Sequence, residues 1–210
     1  MKILKTLLLA VACLNTAHGI AQILPPKATD LTVVNRHLSF STDGSLHLDE
    51  ADNAGFAWLN NRQFTYGTIE FDVKGNDKLQ GSFVGIAYHG LNDSTYECVY
   101  FRPFNFMADD PVRKSHGVQY IAVPKYDWPV LREQHPNKYE QAVMPAPNPN
   151  AWFHVRITIG AKKVNVYVNG VPKAALEVEP LVKTGGTKIG YWVGYSSPGD
   201  WKNLKITDEK

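Results

Sequence analysis

The 210 residues carry 22 Lys and Arg against 20 Asp and Glu, 44% of them are hydrophobic, and two are cysteine. This composition suits a globular chain and is too apolar for a disordered one. A near-neutral balance without a basic cluster excludes nucleic acid and anionic membranes as expected partners.

The first residues read as a leader. Lys2 and Lys5 precede the apolar run 7–12, and small residues follow at Ala17, Gly19 and Ala21. That order describes a secretory signal peptide over residues 1–21, whose apolar run is too short to span a membrane. Cleavage after Gly19 or Ala21 leaves residues 22–210 as one exported domain, secreted or periplasmic, with no transmembrane segment. A lipoprotein signal with Cys13 lipidated is the less favoured alternative, because the Ala10-Val-Ala12 before it lacks the Leu usual in that motif. Without the leader the chain has 20 basic and 20 acidic residues, and Cys98 is the one remaining cysteine. A disulfide within the mature chain is then impossible, and Cys98 reads as a small buried apolar residue.

Period-2 alternation dominates the rest. Residues 68–73 place Ile69, Phe71 and Val73 on one face. Residues 83–89 set Val84, Ile86 and Tyr88 against Gly85, Ala87 and His89. The stretch 95–106, TYECVYFRPFNF, carries Thr95, Glu97, Val99 and Phe101 on one side, and Tyr96, Cys98, Tyr100 and Arg102 on the other. Pro103 ends it and sends Asn105 beyond the sheet. Residues 115–123 form the next strand candidate. Pro124 to Ala151 is a Pro-rich insertion, with a short helix predicted within 130–143; a segment this long is a functional lid or an edge cover. Strands follow at 153–159 and 163–169, joined to the Asn169-Gly170 turn signal, and at 187–195 and 201–206. Many short strands between turn residues predict an all-β fold, a two-sheet antiparallel sandwich or barrel.

The stretches Ala151-Trp-Phe-His-Val-Arg-Ile-Thr-Ile159 and Val164-Asn-Val-Tyr-Val-Asn-Gly170 resemble the W-x-H-V-R-I … V-x-V-Y-V-N-G hairpin of laminin-G-like and concanavalin A-like jelly rolls. Phe64-Thr-Tyr-Gly-Thr-Ile-Glu-Phe-Asp72, Gly190-Tyr-Trp-Val-Gly194 and Asp200-Trp-Lys-Asn-Leu-Lys-Ile206 resemble other strands of such domains. The similarity runs from about Ala28 to Ile206 and is nearest to bacterial domains related to the 3-keto-disaccharide hydrolase group. It implies a concanavalin A-like jelly-roll sandwich with one bent sheet forming a groove, and carbohydrate as the partner. A structural calcium held by a carboxylate such as Asp200 occurs among such proteins, but nothing in this sequence requires a cofactor.

Glu70-Phe-Asp72 invites comparison with the E-x-D-x-x-E strand of laminarinase-type glycosidases. Gly75 stands where the second glutamate belongs, so the carboxylate pair needed for hydrolysis is missing. The segment from Arg102 to Tyr120 is denser in able side chains. Arg102 and Arg113 offer planar forks, His116 a base near neutral pH, and Asn105 and Gln119 neutral hydrogen bonds. On a straight strand His116 and Tyr120 share a face and Gln119 points away. Tyr100, Tyr120 and Trp192 are stacking candidates, the last because Gly190 and Gly194 flank its ring; Tyr96 lines the groove with Tyr100, and Trp128 is a candidate lid. The reading is a carbohydrate-binding groove. The alternatives are a glycan-cleaving enzyme, with His116 or His89 as base and Glu97 as partner, and a structural or interaction module of the cell envelope.

Overall fold

The computed structural model describes residues 22–23, 27–182 and 185–209; the expected leader with Cys13 lies outside them. The strands and helices in chain order begin with β1 (Gln22–Ile23), β2 (Leu31–Val34), β3 (Leu38–Phe40), β4 (Leu46–Leu48), β5 (Gly55–Gln63) and β6 (Gly67–Lys74). The middle carries β7 (Val84–Asn92), β8 (Thr95–Phe101), α1 (Pro103–Phe106), α2 (Pro111–Lys114), β9 (Val118–Val123), α3 (Trp128–Gln134) and β10 (Glu140–Gln141). The chain closes with β11 (Phe153–Ile159), β12 (Val164–Val168), β13 (Leu176–Val178), β14 (Lys188–Val193) and β15 (Gly199–Asp208).

Two antiparallel sheets result, as the alternation predicts. One runs β13-β12-β11-β6-β15-β4-β3 with β1 on β15; the other runs β10-β9-β8-β7-β14-β5-β2. Ile69, Phe71 and Val73 of β6, and Phe153, Val155, Ile157 and Ile159 of β11, are buried between the sheets. Val84, Ile86 and Tyr88 of β7 oppose Phe101, Val99 and Glu97 of β8 and meet them from the other side. Each fully buried Phe or Leu on these faces contributes about 1.5–3 kcal/mol, so the alternation itself holds the layers together. Glu70 and Asp72 point outward from β6, where Asp72 pairs with His154 at 2.8 Å and Glu70 with Lys205 at 3.6 Å.

The other face of the seven-stranded sheet differs from the open groove expected of it. Register places Phe56, Trp58, Gly85, Ala87, Tyr96, Cys98, Tyr100, Gln119, Ile121, Gly190 and Trp192 together there, and all but the glycines are among its buried side chains. Rings fill the room the glycines leave: Trp192 sits 4.9 Å from Tyr100, and its Nε1 donates to the Tyr96 hydroxyl at 3.1 Å. A Cβ on Gly85 would lie 2.7 Å from that of Tyr100, so the glycine permits close packing rather than baring an aromatic for a sugar.

The insertion completes the cover. Asp127 caps α3 by accepting from the Trp128 amide, and Leu131, Tyr139 and Val143 join the core. Glu140 pairs with Gln119, adding β10 to the edge of β9. The predicted helix is therefore real but starts at Trp128, and the insertion covers an edge while also walling a cleft.

Candidate functional site

The stripe of β8 that carries Tyr100 ends at Arg102, where Pro103 opens α1 and turns the chain away. Arg102 stays 5% exposed, its guanidinium held by four acceptors. NH1 donates to the His116 carbonyl at 3.1 Å and approaches Glu140 Oε2 at 3.4 Å; NH2 donates to the Tyr100 hydroxyl at 2.7 Å and Gln119 Oε1 at 3.1 Å. A buried guanidinium needs such partners, because an uncompensated charge in the interior is costly.

Glu140 is the hub of this cluster. Its carboxylate accepts from Arg132 Nε at 2.8 Å and NH2 at 2.7 Å, a bidentate fork. His116 Nδ1 stands 2.9 Å from Oε2, a contact set off the ideal hydrogen-bond line. Burial pushes the Glu140 pKa up, but Arg132, Arg102 and His116 outweigh it and leave the group below its ordinary value, ionised at neutral pH. Burial lowers the His116 pKa, the two arginines act in the same direction, and Glu140 only partly opposes them. His116 is thus neutral at pH 7. A carboxylate only accepts, so the ring's proton belongs on Nδ1 toward Glu140, and Nε2 keeps a lone pair for a ligand.

These groups open on a cleft of about 620 Å³. Gln80, Arg102, Asn105, Arg113, His116 and Arg132 supply its polar lining. Phe83 and Phe104 form an apolar side, while Trp128, 43% exposed, and Tyr195, 60% exposed, stand at the rim. Arg132 lies over the Trp128 ring at 4.9 Å. Arg113 is fixed by Asn105 Oδ1 at 3.3 Å and the Phe104 carbonyl at 3.0 Å.

Five expected residues therefore converge here: Arg102, Asn105, Arg113, His116 and Trp128. Tyr100 and Gln119 hold Arg102 from behind. Three others do not reach the cleft, and the groove roles expected of them are corrected, as is the stacking role of buried Tyr100. Tyr96 and Trp192 are buried in the aromatic pile, and Tyr120 points between the sheets. The face-sharing of His116 and Tyr120 fails because β9 begins at Val118; His116 sits in the turn after α2, and it is Gln119 that joins it at Arg102. Glu140, Arg132 and Tyr195 were missed. Trp128 and Arg132 are four apart on α3 and share a face, which was the one readable signal for Arg132.

The remaining candidates form a second cluster. His89 takes a positive φ of 49° at an irregularity in β7, which swings its ring to the core side. Nδ1 lies 2.7 Å from Glu97 Oε1 and Nε2 2.5 Å from the Thr65 carbonyl; the Tyr120 hydroxyl donates to Glu97 Oε2 at 2.6 Å. Burial pulls the His89 pKa down, but the Glu97 and Thr65 bonds and the Glu97 charge together leave it raised. Glu97 and His89 thus pair with each other, away from His116. They border a smaller cleft of about 400 Å³ beside Thr65 and Leu181.

Among the described residues no group of three or more His, Cys, Asp or Glu could hold a metal, and no helix is long and apolar enough to cross a membrane. Asp200, the example carboxylate that the resemblance offers for a calcium, is paired with His47 at 2.8 Å and Lys74 at 3.3 Å.

The 3-keto-alpha-glucoside-1,2-lyase-like domain family matches residues 27–207. No curated protein matches the chain. Among solved structures, the carbohydrate-binding module CBM66 from Bacillus subtilis is similar at a TM-score of 0.62 and 12% identity, over 85% of this chain and 96% of the module. The exoplasmic/lumenal domain of VIP36, bound to Ca2+ and Man3GlcNAc, gives 0.60 at 11% identity, over 90% and 88%. A provisional glycosyl hydrolase from Parabacteroides distasonis gives 0.58 at 15% identity, over 90% and 99%. At these identities the likeness is one of fold, the two-sheet sandwich of galectin-like and concanavalin A-like domains.

Proposed function

Because this chain belongs to the 3-keto-alpha-glucoside-1,2-lyase-like family, we propose that it is an exported protein that recognises a carbohydrate in the cleft between Trp128 and Tyr195. The observation that carries this reading is the joining of exposed aromatic faces to a fixed set of donors and acceptors. Trp128 and Tyr195 offer apolar faces to the flat side of a pyranose ring. Asn105, Arg113 and His116 present polar atoms behind them. Rigidity favours binding, since Asn105 and the Phe104 carbonyl already hold Arg113 and Arg102 holds the turn at His116, so little order remains to be gained on association. Calorimetric titration against a panel of plant, algal and host oligosaccharides tests the reading. A saturable response that Trp128→Ala weakens about tenfold supports it, that being the order of one lost aromatic contact. A flat response to the whole panel overturns it.

A second reading, elimination by a 1,2-lyase, is favoured by one feature: neutral His116 in the cleft lining, with Nδ1 2.9 Å from Glu140 and Nε2 as its basic nitrogen. On a 3-keto-α-glucoside the proton on C2 is acidified by the neighbouring ketone. Nε2 would take that proton, the C–H electrons would form the C1–C2 double bond, and the C1–O bond would break with the aglycone leaving as an alcohol once protonated. Incubation with a 3-keto-α-glucoside separates the readings. Release of aglycone that His116→Gln abolishes while binding persists would make the protein a lyase; binding without release leaves recognition alone.

A further inference from the structure

Resting on the carbohydrate reading of this cleft, we infer that its ligand is an acidic saccharide, one whose sugar carboxylate docks against the guanidinium groups. The charges on its walls motivate this. Every permanently charged residue lining the cleft is an arginine: Arg102, Arg113 and Arg132. Behind them a single carboxylate, Glu140, faces two of the three, together with His116. Three guanidinium charges against one carboxylate leave an excess of two, because burial holds His116 neutral.

Arg113 carries the argument further than the count. Its Nε and NH2 rest on the neutral oxygens of Asn105 and Phe104, and no carboxylate pairs with it among the described residues. The Asn105 side chain that holds it is itself 4% exposed and donates to the His116 carbonyl. The fork is therefore positioned without being neutralised. Asp110, three residues before Arg113 in the chain, instead accepts from the Val112 amide and caps its own helix. A fixed, unpaired, planar guanidinium matches a planar carboxylate through two parallel bonds, whereas a neutral hydroxyl takes only one. Trp128 and Tyr195 flank the mouth where the ring bearing that carboxylate would stack. Uronate units of a plant, algal or host polysaccharide have this combination of a pyranose face and an in-plane carboxylate.

The test uses the full chain and matched pairs of probes: galacturonate, glucuronate and mannuronate oligosaccharides, each beside its carboxyl-reduced neutral counterpart, titrated by calorimetry. The expected result is at least one pair in which the acidic member binds about tenfold or more tightly, the order of one charged hydrogen bond. That preference shrinks between about 0.01 M and about 1 M salt, as the screening length falls from roughly 30 Å to roughly 3 Å. Arg113→Gln removes the preference by weakening the acidic member far more than the neutral one, and Arg113→Lys restores it only in part because the fork is lost. Equal binding of both members in every pair, or a preference that survives Arg113→Gln in a folded variant, overturns the acidic assignment and leaves the carbohydrate reading intact. Failure of every probe and of the neutral panel removes both.

Discussion

Glu140→Gln probes the hub directly, because one carboxylate serves Arg132, Arg102 and His116. The amide retains an acceptor oxygen but presents an NH2 to one of the donors that Glu140 now satisfies. A hydrogen bond to a charged partner is worth about 1.5–3 kcal/mol and a neutral one about 0.5–1.5 kcal/mol. The two short bonds from Arg132 each lose roughly 1 kcal/mol by that difference, discounted because its side chain is 38% exposed and screened by water. Arg102, whose side chain is 6% exposed, loses its one counter-charge among the described residues. Together these amount to about 2–4 kcal/mol, the low end of what breaking a buried pair costs. For a chain of this size that is a fall of about 5–10 °C in melting temperature.

Differential scanning calorimetry at neutral pH measures the fall, and its pH dependence supplies the sign. The folded Glu140 pKa lies below its ordinary value of 4.5, so its stabilisation is fully present above that value and is lost as pH falls through the folded pKa. Wild type and Glu140→Gln should thus differ by a constant amount from neutral pH down to about pH 5 and converge at lower pH. A second readout is independent of stability. Glu140 partly offsets the downward shift of His116, so its neutralisation should move the His116 titration, followed by NMR, further down. Equal melting temperatures at neutral pH, together with an unmoved His116 titration, would refute the hub.

The second histidine gives the opposite sign: the folded His89 pKa is raised above 6.5, so its contribution is present below that value and fades as pH climbs through the folded pKa. His89→Asn should cost about 1–3 kcal/mol at mildly acid pH and visibly less in alkaline urea titrations. Gly85→Ala should destabilise by about 3 kcal/mol or more in urea denaturation, since its Cβ would meet the Val99 carbonyl oxygen at 2.2 Å and the Tyr100 Cα at 2.6 Å. Cys98 is fully buried and its thiol pKa is pushed well up by burial, so a disulfide-exchange reagent should label it only as the chain unfolds. Trp128→Ala should leave stability within about 1 kcal/mol, because the ring is 43% exposed, while weakening glycan binding in the same preparation.

The sandwich was legible where one face of a strand is apolar and the other is not. Ile69, Phe71 and Val73 and the Val164, Val166 and Val168 set announce their layer through period 2 alone, and the structure buries all six. The stripes of β8 were equally readable, down to Glu97 on the core side and Arg102 on the other. Errors began where a boundary decided parity. Starting β9 at Ser115 rather than Val118 carried His116 into the strand and paired it with Tyr120, whereas period 2 orders faces only within the strand itself. Histidine's mild tolerance of left-handed backbone is too weak to mark His89 within an alternating strand, yet that single residue brings its ring to Glu97.

The site was less legible than the sheets for a different reason. Glu140 reaches Arg102 only because two residues of β10 pair with β9, setting Glu140 opposite Gln119. A two-residue strand has no periodicity to detect, and the Pro-rich stretch around it has none either. Tyr195 arrives at the rim from the opposite end of the chain, after β14. Local pattern encodes which way a side chain faces along its own strand, whereas the cleft is made where α1, α3 and the turn after β14 meet. The buried aromatic pile follows the same logic. Tyr100 and Trp192 each have the parity expected of groove lining, and both have it correctly. Their neighbours across the sheet, Phe56, Tyr96 and Phe83, occupy the space above them, so a ligand is left with the arginine end of the stripe rather than its aromatic middle.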